Sequence, residues 1–419
     1  MTLPEPAAQS PRLSPRQAQL KFAAVTPAAR RDIDYASLDA RLKRLAERPA
    51  VVGLAVGIVE NGRITFLSGY GEELAGSGRK VTPQTVFRWA SVSKGVASTM
   101  VGKLAEDGKL SFHTPVSHYA ASLKLPGGME NSATVGDLLS HRLGLYRNAY
   151  DNKLEEGQDT RFLRQTLSQL NLICAPGTCW SYQNVAYDGS SEIVERVTGK
   201  PYAEAVREYL FDPIGMSSAT VTRAGLISAQ SWARPHNAGR KPLEVLDTYY
   251  RVPAAGGVNS DIKDLALWMV AQVGQMPAIL SPGLLRTIHN PVVKTPGERR
   301  RMRKFLERLG EAGYGYGWRS YDYAGHRIVG HRGGVSGYRS LILFDPARKS
   351  GVVALWNSNS NQPGGLEFEV MDMLYHLPFR DWLELDSKPA APAPPPEEQP
   401  EAETTSAAIA ATRTRAPQG

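Results

Sequence analysis

Strand-like segments stand at both ends of this chain, and the residues between them favour helices and loops. Near the start, apolar runs at 51–59 and 64–69 flank Asn61-Gly62, a dipeptide that strongly indicates a two-residue hairpin turn. Four further strand-like runs follow much later, at 314–321, 326–331, 338–345 and 351–357. This distribution predicts the α/β class (α+β type), with one antiparallel sheet built from both ends of the chain and a mostly helical lobe inserted into it.

Helical periodicity predicts the elements that flank this sheet. Leu38, Leu42 and Leu45 recur at helical spacing. A longer apolar stripe runs through 91–110, and 366–377 favours a final helix. We therefore expect helices next to the first strands and at the end of the folded unit.

The folded unit is predicted to cover 32–387. Its lobes are predicted as follows: the sheet lobe at about 32–110 and 310–387, and the helical lobe at about 111–309. The flanking stretches 1–31 and 388–419 are rich in Pro and Ala and have no apolar periodicity. Burial cannot offset the entropy cost of ordering such segments, so both are predicted to be disordered.

Composition excludes several classes of protein. Hydrophobic residues make up 42% and charged residues 21% of the 419 residues, which is typical of a globular chain. No apolar run reaches the ~18 residues of a membrane span, so no transmembrane segment is predicted. The net charge of +8 permits contact with nucleic acid, and one basic cluster lies at 299–308. No aromatic residues interleave its core, so we interpret it as a solvated helix face and predict no nucleic-acid partner.

The two cysteines bear on the compartment in which the protein works. Cys174 and Cys179 enclose Pro176-Gly177, the favoured centre of a type II turn. Such a turn can bring the cysteines to disulfide distance, although two free thiols are the alternative. A disulfide favours an oxidising compartment. The first residues carry no export signal, so either the protein stays in the cytoplasm or its numbering begins after a removed signal. A disulfide between the two cysteines would favour the second alternative, a periplasmic or secreted protein.

Motif patterns narrow the chemistry. The sequence has no phosphate-binding G-x-x-x-x-G-K-[ST] or G-x-G-x-x-G, no H-E-x-x-H and no G-x-S-x-G. The eight histidines are scattered, so no metal is assigned. An S-x-x-K pattern stands at Ser91 and Lys94, where residues three apart share a helix face. A buried lysine with a lowered pKa can take the serine proton, although a helix N-cap is the alternative role for Ser91.

The S-x-x-K pattern and a second pattern, Y-x-N, each occur twice in the sequence. Ser260 and Lys263 also fit S-x-x-K, and we interpret Ser260 as the N-cap of a helix. Tyr182 and Asn184 form a Y-x-N, in which the phenol can relay a proton and the amide can hold a substrate amide. The structural alternative for Tyr182 is a half-buried core phenol. A second Y-x-N begins at Tyr150 and is interpreted as part of a polar loop.

A third element lies between two late strand-like runs. His331 is followed by Gly333 and Gly334, and glycines there allow a substrate backbone to lie close to an edge strand. The N–H groups of Gly334 and Ser91 could form an oxyanion hole. His331 could supply a charge or a proton relay near the substrate, although a lone histidine is more often structural.

In this order, the three motifs resemble the signature of the serine β-lactamase and penicillin-binding-protein superfamily, and Y-x-N resembles its class C branch. Three further segments also resemble that branch: 138–145, 210–216 and 255–260. The likeness therefore covers about 35 to 377. The resemblance implies the β-lactamase/transpeptidase-like fold, no cofactor, Ser91 as nucleophile and Lys94 with Tyr182 as the proton-transfer pair. It places Asn184 and His331 at the substrate.

His331 departs from the class C pattern, in which lysine is usual, and is more similar to D-alanyl-D-alanine carboxypeptidases and several esterases and peptidases. That departure weakens the expectation of strong β-lactamase activity. The sequence therefore predicts a serine hydrolase acting through acyl-Ser91 on a β-lactam or a D-Ala-D-Ala-like amide in a small molecule or short peptide. The alternatives are a carboxylesterase and a non-catalytic receptor for peptidoglycan-type ligands. Oligomeric state is not readable from the sequence.

Overall fold

A computed structural model of the protein describes residues 32–386. The chain divides after Leu385, so every described residue except Asp386 belongs to one compact unit. The stretches 1–31 and 388–419 lie outside the described residues, and so does the last residue of the predicted folded unit. Within the described part, no helix combines the length and the apolar composition needed to cross a bilayer.

The strands of the described residues form one large sheet and one small ribbon. Their bounds are β1 (Gly53–Glu60), β2 (Arg63–Gly71), β3 (Phe87–Arg88), β4 (Asn259–Ser260), β5 (Val293–Lys294), β6 (Leu309–Tyr314), β7 (Arg319–Tyr323), β8 (His326–Val335), β9 (Tyr338–Asp345) and β10 (Ser350–Trp356). Strands β3 and β4 pair with each other. The other eight form an open antiparallel sheet in the order β2-β1-β10-β9-β8-β7-β6-β5.

The sheet joins the two ends of the chain, which confirms the predicted fold class. Strand β10 lies between β9 and β1, and Leu54 stands opposite Trp356. The predicted hairpin turn connects β1 to β2, and both of its residues, Asn61 (φ +50°) and Gly62 (φ +75°), have the positive φ that a type I′ turn needs.

Helices cover both faces of the sheet. The α-helices are α1 (Tyr35–Ala46), α2 (Ser93–Glu106), α3 (Val135–Leu139), α4 (Asp151–Glu155), α5 (Thr160–Thr166), α6 (Gly189–Thr198), α7 (Tyr202–Val206), α8 (Asp212–Ile214), α9 (Arg223–Ile227), α10 (Pro253–Gly256), α11 (Ile262–Gln272), α12 (Pro282–His289), α13 (Pro296–Arg301) and α14 (Leu366–Leu374). A π-helical turn, Arg207–Phe211, links α7 to α8. Short 3₁₀ turns lie at Ala90–Val92, Val116–His118, Pro126–Asn131, Leu167–Gln169, Thr248–Arg251 and Arg303–Phe305.

Strand β1 is buried on both faces, and its alternating side chains enter two different cores. Leu54, Val56 and Ile58 pack with α1 and α14, while Ala55 and Val59 pack on the side of α2 and α11. Two-sided burial explains why this strand reads as a continuous apolar run. The second core continues among the helices between α3 and α12, so α2 is buried between the sheet and those helices.

Two predictions, one about a strand and one about a helix cap, are wrong. The run at 314–321 is two strands, because β6 ends at Tyr314 and β7 starts at Arg319. At Gly315 a Cβ would lie 2.5 Å from the Ile288 carbonyl oxygen, and Gly317 has a φ of +75°, so the backbone turns between them.

Ser260 is not the N-cap of α11. The cap is Asp261, whose carboxylate accepts a hydrogen bond of 2.8 Å from the N–H of Asp264. Ser260 lies in β4. An aspartate one residue later offered an equally good cap, and the sequence pattern could not separate the two.

Candidate active site

Ser91 lies in the tight turn that joins β3 to α2. Ala90, just before it, has a φ of +47°, in the left-handed region. Trp89 anchors the turn, since its backbone N–H donates to the Val258 carbonyl at 2.8 Å and its indole N–H donates to the Ser260 hydroxyl at 2.9 Å. Ser260, the serine of the second S-x-x-K, therefore supports the turn that presents Ser91.

Strand β8 packs directly against the same turn. A Cβ at Gly333 would lie 2.3 Å from the Trp89 carbonyl oxygen and 3.0 Å from the Ser91 nitrogen, so this position requires glycine. Strand β7 pairs with β8 only as far as Gly330, which leaves the following residues of β8 paired on one side, to β9. The Ser91 nitrogen thus lies beside the open edge that carries Gly334, the arrangement the predicted oxyanion hole needs. The hole itself stays a prediction.

Lys94 is completely buried beneath Ser91. Its ammonium nitrogen lies 3.4 Å from the Ser91 Oγ, 2.7 Å from the Asn184 Oδ1 and 3.0 Å from the Ala255 carbonyl oxygen. Three oxygen acceptors match the three hydrogens of an ammonium group. The Ala255 carbonyl belongs to the segment 255–260, whose resemblance to the class C branch implies no role for this group.

Burial lowers the pKa of Lys94 to about 7, because the surrounding protein disfavours the charged form. The nearby Arg319 lowers it further, whereas Asp151 and Asp188 raise it. Near neutral pH a substantial fraction of Lys94 is therefore the free amine. A free amine beside a serine hydroxyl can act as its base.

Tyr182 stands next to this pair. Its ring lies 4.7 Å from the Lys94 ammonium, and the side chain is 7% exposed. Burial raises the pKa of Tyr182 to about 12, and Arg319 and the Ser91 hydroxyl act in the opposite direction. At neutral pH the side chain is thus a phenol, which can donate a proton.

Asn184 is held by a carboxylate that sequence reasoning missed. The Asp151 Oδ2 accepts a hydrogen bond of 2.6 Å from the Asn184 Nδ2, which leaves the Oδ1 of that amide facing Lys94. Asp151 lies in the Y-x-N that begins at Tyr150, and the interpretation of that segment as a polar loop is wrong, since it starts α4. Burial raises the pKa of Asp151 to about 6.

Two arginines stand over Tyr182. The guanidinium carbons of Arg147 and Arg319 lie 5.4 Å and 5.7 Å from the centre of the Tyr182 ring. Glu298 of α13 binds both, at 3.1 Å and 2.8 Å. Glu298, which directly precedes the basic cluster 299–308, therefore links the first turn of α13 to the site.

Residues of the basic cluster 299–308 bind groups of the chain itself. Arg299 donates to the Gly310 carbonyl at 2.6 Å, and Lys304 pairs with Glu384 at 2.8 Å. These contacts use part of the positive charge that the sequence presents.

His331 is buried, with 2% of its surface exposed, and its ring centre lies 6.2 Å from that of Tyr182. Burial, Arg319 and Lys94 together lower the pKa of His331 well below its ordinary value. The imidazole is therefore neutral, and the hypothesis that it supplies a charge does not fit its surroundings. Contact between His331 and a substrate stays a prediction.

A cleft of about 640 Å³ opens beside the free edge of β8. Its walls combine that edge with aromatic and charged side chains, among them Gly334, Val335, Tyr249, Tyr338, Arg339 and Glu155. Within residues 32–386, no three His, Cys, Asp or Glu side chains come together as a metal-binding group.

Cys174 and Cys179 are joined by a disulfide, with their Cα atoms 6.2 Å apart. The predicted turn lies between them: the Thr178 N–H donates to the Ala175 carbonyl, and Gly177 has a φ of +82°. This loop directly precedes the segment of Tyr182.

The beta-lactamase family profile matches residues 38–372, so the chain belongs to the beta-lactamase family. Among curated relatives, it is 27% identical over 366 residues to an unguisins hydrolase of Aspergillus campestris, a match that covers 83% of this chain and 64% of the relative. It is 31% identical over 238 residues to esterase EstB of Burkholderia gladioli, covering 51% and 59%. The chain thus spans less than two thirds of each relative's length. Both relatives are named as hydrolytic enzymes.

Solved structures of low identity share the fold. The octameric penicillin-binding protein homologue from Pyrococcus abyssi superposes with a TM-score of 0.73 at 24% identity, covering 82% of this chain and 78% of the other. A D-stereospecific amidohydrolase from Streptomyces gives a TM-score of 0.63 at 21% identity, covering 78% and 95%. These likenesses show the mixed helix and antiparallel sheet architecture.

Proposed function

We propose that this protein is a serine hydrolase that forms an acyl-enzyme on Ser91 and transfers the acyl group to water. One observation carries the proposal: a fully buried lysine, with a pKa near neutrality, lies within reach of a serine hydroxyl at an accessible turn. The substrate is a β-lactam or a D-amino-acid amide of the D-Ala-D-Ala type, in keeping with the family and with the amidohydrolase that shares the fold.

The acylation step follows from the positions of these groups. The Lys94 amine accepts the Ser91 proton as the Ser91 Oγ forms a bond to the substrate carbonyl carbon. The carbonyl oxygen becomes an oxyanion, which the N–H groups of Ser91 and Gly334 stabilise. The carbon–nitrogen bond then breaks, and the leaving nitrogen takes a proton from the Tyr182 phenol. Tyr182 regains a proton from Lys94.

Deacylation reverses these roles with water as the nucleophile. The Lys94 and Tyr182 pair takes a proton from water, the hydroxide oxygen bonds to the acyl carbon, and the Ser91 Oγ leaves with a proton. Asn184, held by Asp151, keeps Lys94 in place during both steps. No cofactor takes part.

A second candidate is a carboxylesterase, favoured by the match to esterase EstB. The same acyl-Ser91 chemistry serves an ester, whose leaving oxygen needs less help from a proton donor. A non-catalytic receptor is the alternative of another class, but a binder has no need of a buried amine next to an accessible serine. The disulfide supports a proposed periplasmic or secreted location.

The test mixes the protein with excess benzylpenicillin and measures intact mass while following the drug. An adduct that maps to Ser91 indicates a peptidase-like enzyme, and drug consumption without an adduct indicates a β-lactamase. Parallel assays use a D-Ala-D-Ala peptide and p-nitrophenyl butyrate, and turnover of the ester alone selects the esterase. No adduct and no turnover in any assay, or an adduct on a residue other than Ser91, contradicts the proposal.

A further inference from the structure

Three buried aromatic side chains form a line of hydrogen bonds beside the candidate active site. The His141 Nε2 lies 3.2 Å from the Tyr314 hydroxyl oxygen, which lies 3.2 Å from the His331 Nε2. His141 and Tyr314 are completely buried, and His331 is 2% exposed. The line runs from the segment after α3, which carries His141, to β6 and β8 of the sheet, which carry Tyr314 and His331.

Backbone groups at the two ends fix the direction of every bond in the line. The Gln183 N–H can only donate, and it donates to the His141 Nδ1 at 3.2 Å. His141 must therefore carry its hydrogen on Nε2, which donates to the Tyr314 oxygen. The Tyr314 O–H then has the His331 Nε2 as its acceptor.

The contacts at the His331 end of the line independently give the same directions for the hydrogen bonds. The Arg332 carbonyl oxygen can only accept, and it lies 2.7 Å from the His331 Nδ1. His331 must therefore carry its hydrogen on Nδ1 and accept on Nε2. Each donor in the line meets one acceptor, as expected for buried polar groups.

The charges around the line keep both histidines neutral. Burial lowers the pKa of each well below its ordinary value, and the nearby cations reinforce this: Lys94 and Arg319 act on both rings, and Arg147 acts on His141. A proton added to either ring would also remove an acceptor that the line needs.

The line also fixes the position of Tyr182. Gln183 follows Tyr182 directly in the chain, and the His141 ring lies 4.4 Å from the Tyr182 ring, centre to centre. One end of the line therefore holds the backbone next to the proton donor, and the other holds the strand that carries Gly333 and Gly334.

We infer that His141 and Tyr314 are positioning residues, which hold Tyr182 and β8 at a fixed separation and lock His331 in its neutral Nδ1–H form. The inference rests on the proposed function for its effect on catalysis, but the hydrogen positions can be tested without it. His331 acts here as an uncharged structural acceptor and not as a proton relay.

The first experiment is ¹⁵N NMR of protein labelled in its histidine rings, with His141 and His331 assigned from His141→Gln and His331→Gln variants. We expect the Nε2–H form at His141 and the Nδ1–H form at His331, both unchanged from pH 8 to pH 5.5. The opposite form at either residue, or titration in this range, overturns the inference even if the enzyme proves inactive.

The second experiment compares Tyr314→Phe with Tyr316→Phe. Tyr316 lies two residues further on, in the turn after β6, and stacks on Phe112, outside the line. On whichever substrate the wild type turns over, Tyr314→Phe should lower kcat roughly 10- to 100-fold with KM nearly unchanged, because the groups are no longer held in place. It should also change the ring ¹⁵N signals of His141 and His331, because each ring loses its hydrogen-bond partner in Tyr314.

Tyr316→Phe should keep both kcat and the histidine spectrum. Circular dichroism and Tm measurements report whether each variant folds. A folded Tyr314→Phe protein with wild-type kcat and unchanged histidine signals contradicts the positioning role. An inactive wild type would instead contradict the proposed function, while the NMR result would still decide the hydrogen positions.

Discussion

Ser91 and Ser260 each stand three residues before a lysine, yet the two segments have opposite surroundings. Lys94 is completely buried and binds three oxygen atoms, whereas Lys263 is exposed on α11. The difference shows that the spacing alone does not make a base. Burial of the lysine does, because desolvation brings its pKa near neutrality.

The burial of the two serines differs in the opposite sense. Ser91 is partly exposed at the turn, while Ser260 is buried, accepting from the Trp89 indole and donating to the Asp261 carbonyl at 2.6 Å. A hydroxyl with both roles filled has no proton to give to a base. The second segment therefore works as support for the first.

The sharpest way to break this comparison is to replace each serine with alanine. We expect Ser91→Ala to lower kcat/KM by about 10³-fold or more, since the nucleophile is lost. Ser260→Ala should stay within a few-fold of wild type, but should lower the free energy of unfolding by about 1–3 kcal/mol, because the Trp89 indole loses its acceptor. Steady-state kinetics and urea unfolding measure both effects, and equal kinetic losses would contradict the comparison.

The two lysines give the second test, through the pH dependence of kcat/KM. Lys94 must be the free amine to accept the serine proton, so activity should rise with pH around the pKa of about 7 and fall below it. The phenol of Tyr182, with a pKa of about 12, should sustain activity on the alkaline side.

Lys94→Met should remove most of the activity, whereas Lys263→Met should keep both the rate and the profile. A wild-type profile that is flat from pH 5.5 to pH 8.5 would count against Lys94 as the base. So would an unchanged profile in Lys94→Met.

The smallest expected effect belongs to Asp151, which acts on the base through Asn184. Its carboxylate raises the pKa of Lys94, so Asp151→Asn should move the rising limb of the profile to lower pH. We expect kcat to fall by about tenfold or less, because the Asn184 amide is no longer oriented. Glu155→Gln, in the same helix, is the matched control and should leave the limb in place. A shift to higher pH would contradict the assigned direction.

The parts of the fold that could be predicted from the sequence are those with local signals. The periodicity of α1, the hairpin turn at Asn61-Gly62 and the late strands all follow from neighbouring residues. The break between β6 and β7 could not be found this way, since the backbone at Gly315 lies too close to Ile288 for a side chain, and Ile288 is distant in the sequence. The role of Ser260 could not be predicted either, because its partner, Trp89, lies far away in the sequence.

The candidate site likewise contains residues that the sequence predicts and residues that only the fold reveals. Ser91, Lys94, Tyr182 and Asn184 are predictable from spacing, and the structure brings all four together. No motif marks the residues that hold them: Asp151 is the variable middle residue of the second Y-x-N, and Tyr314 belongs to no motif. Their signal lies in hydrogen bonds between segments that only the folded chain brings into contact.

The insertion of β10 between β9 and β1 has a consequence for the order in which the protein is made. Leu54 leaves the ribosome early, and its partner Trp356 follows some three hundred residues later. Until then, β1 has apolar side chains on both faces and one unpaired edge, the kind of surface that favours aggregation. During synthesis the hairpin of β1 and β2 therefore lacks its partner strand β10 until almost the whole chain has been made. We expect a nascent chain stopped before β10 to depend on chaperones far more than the complete chain.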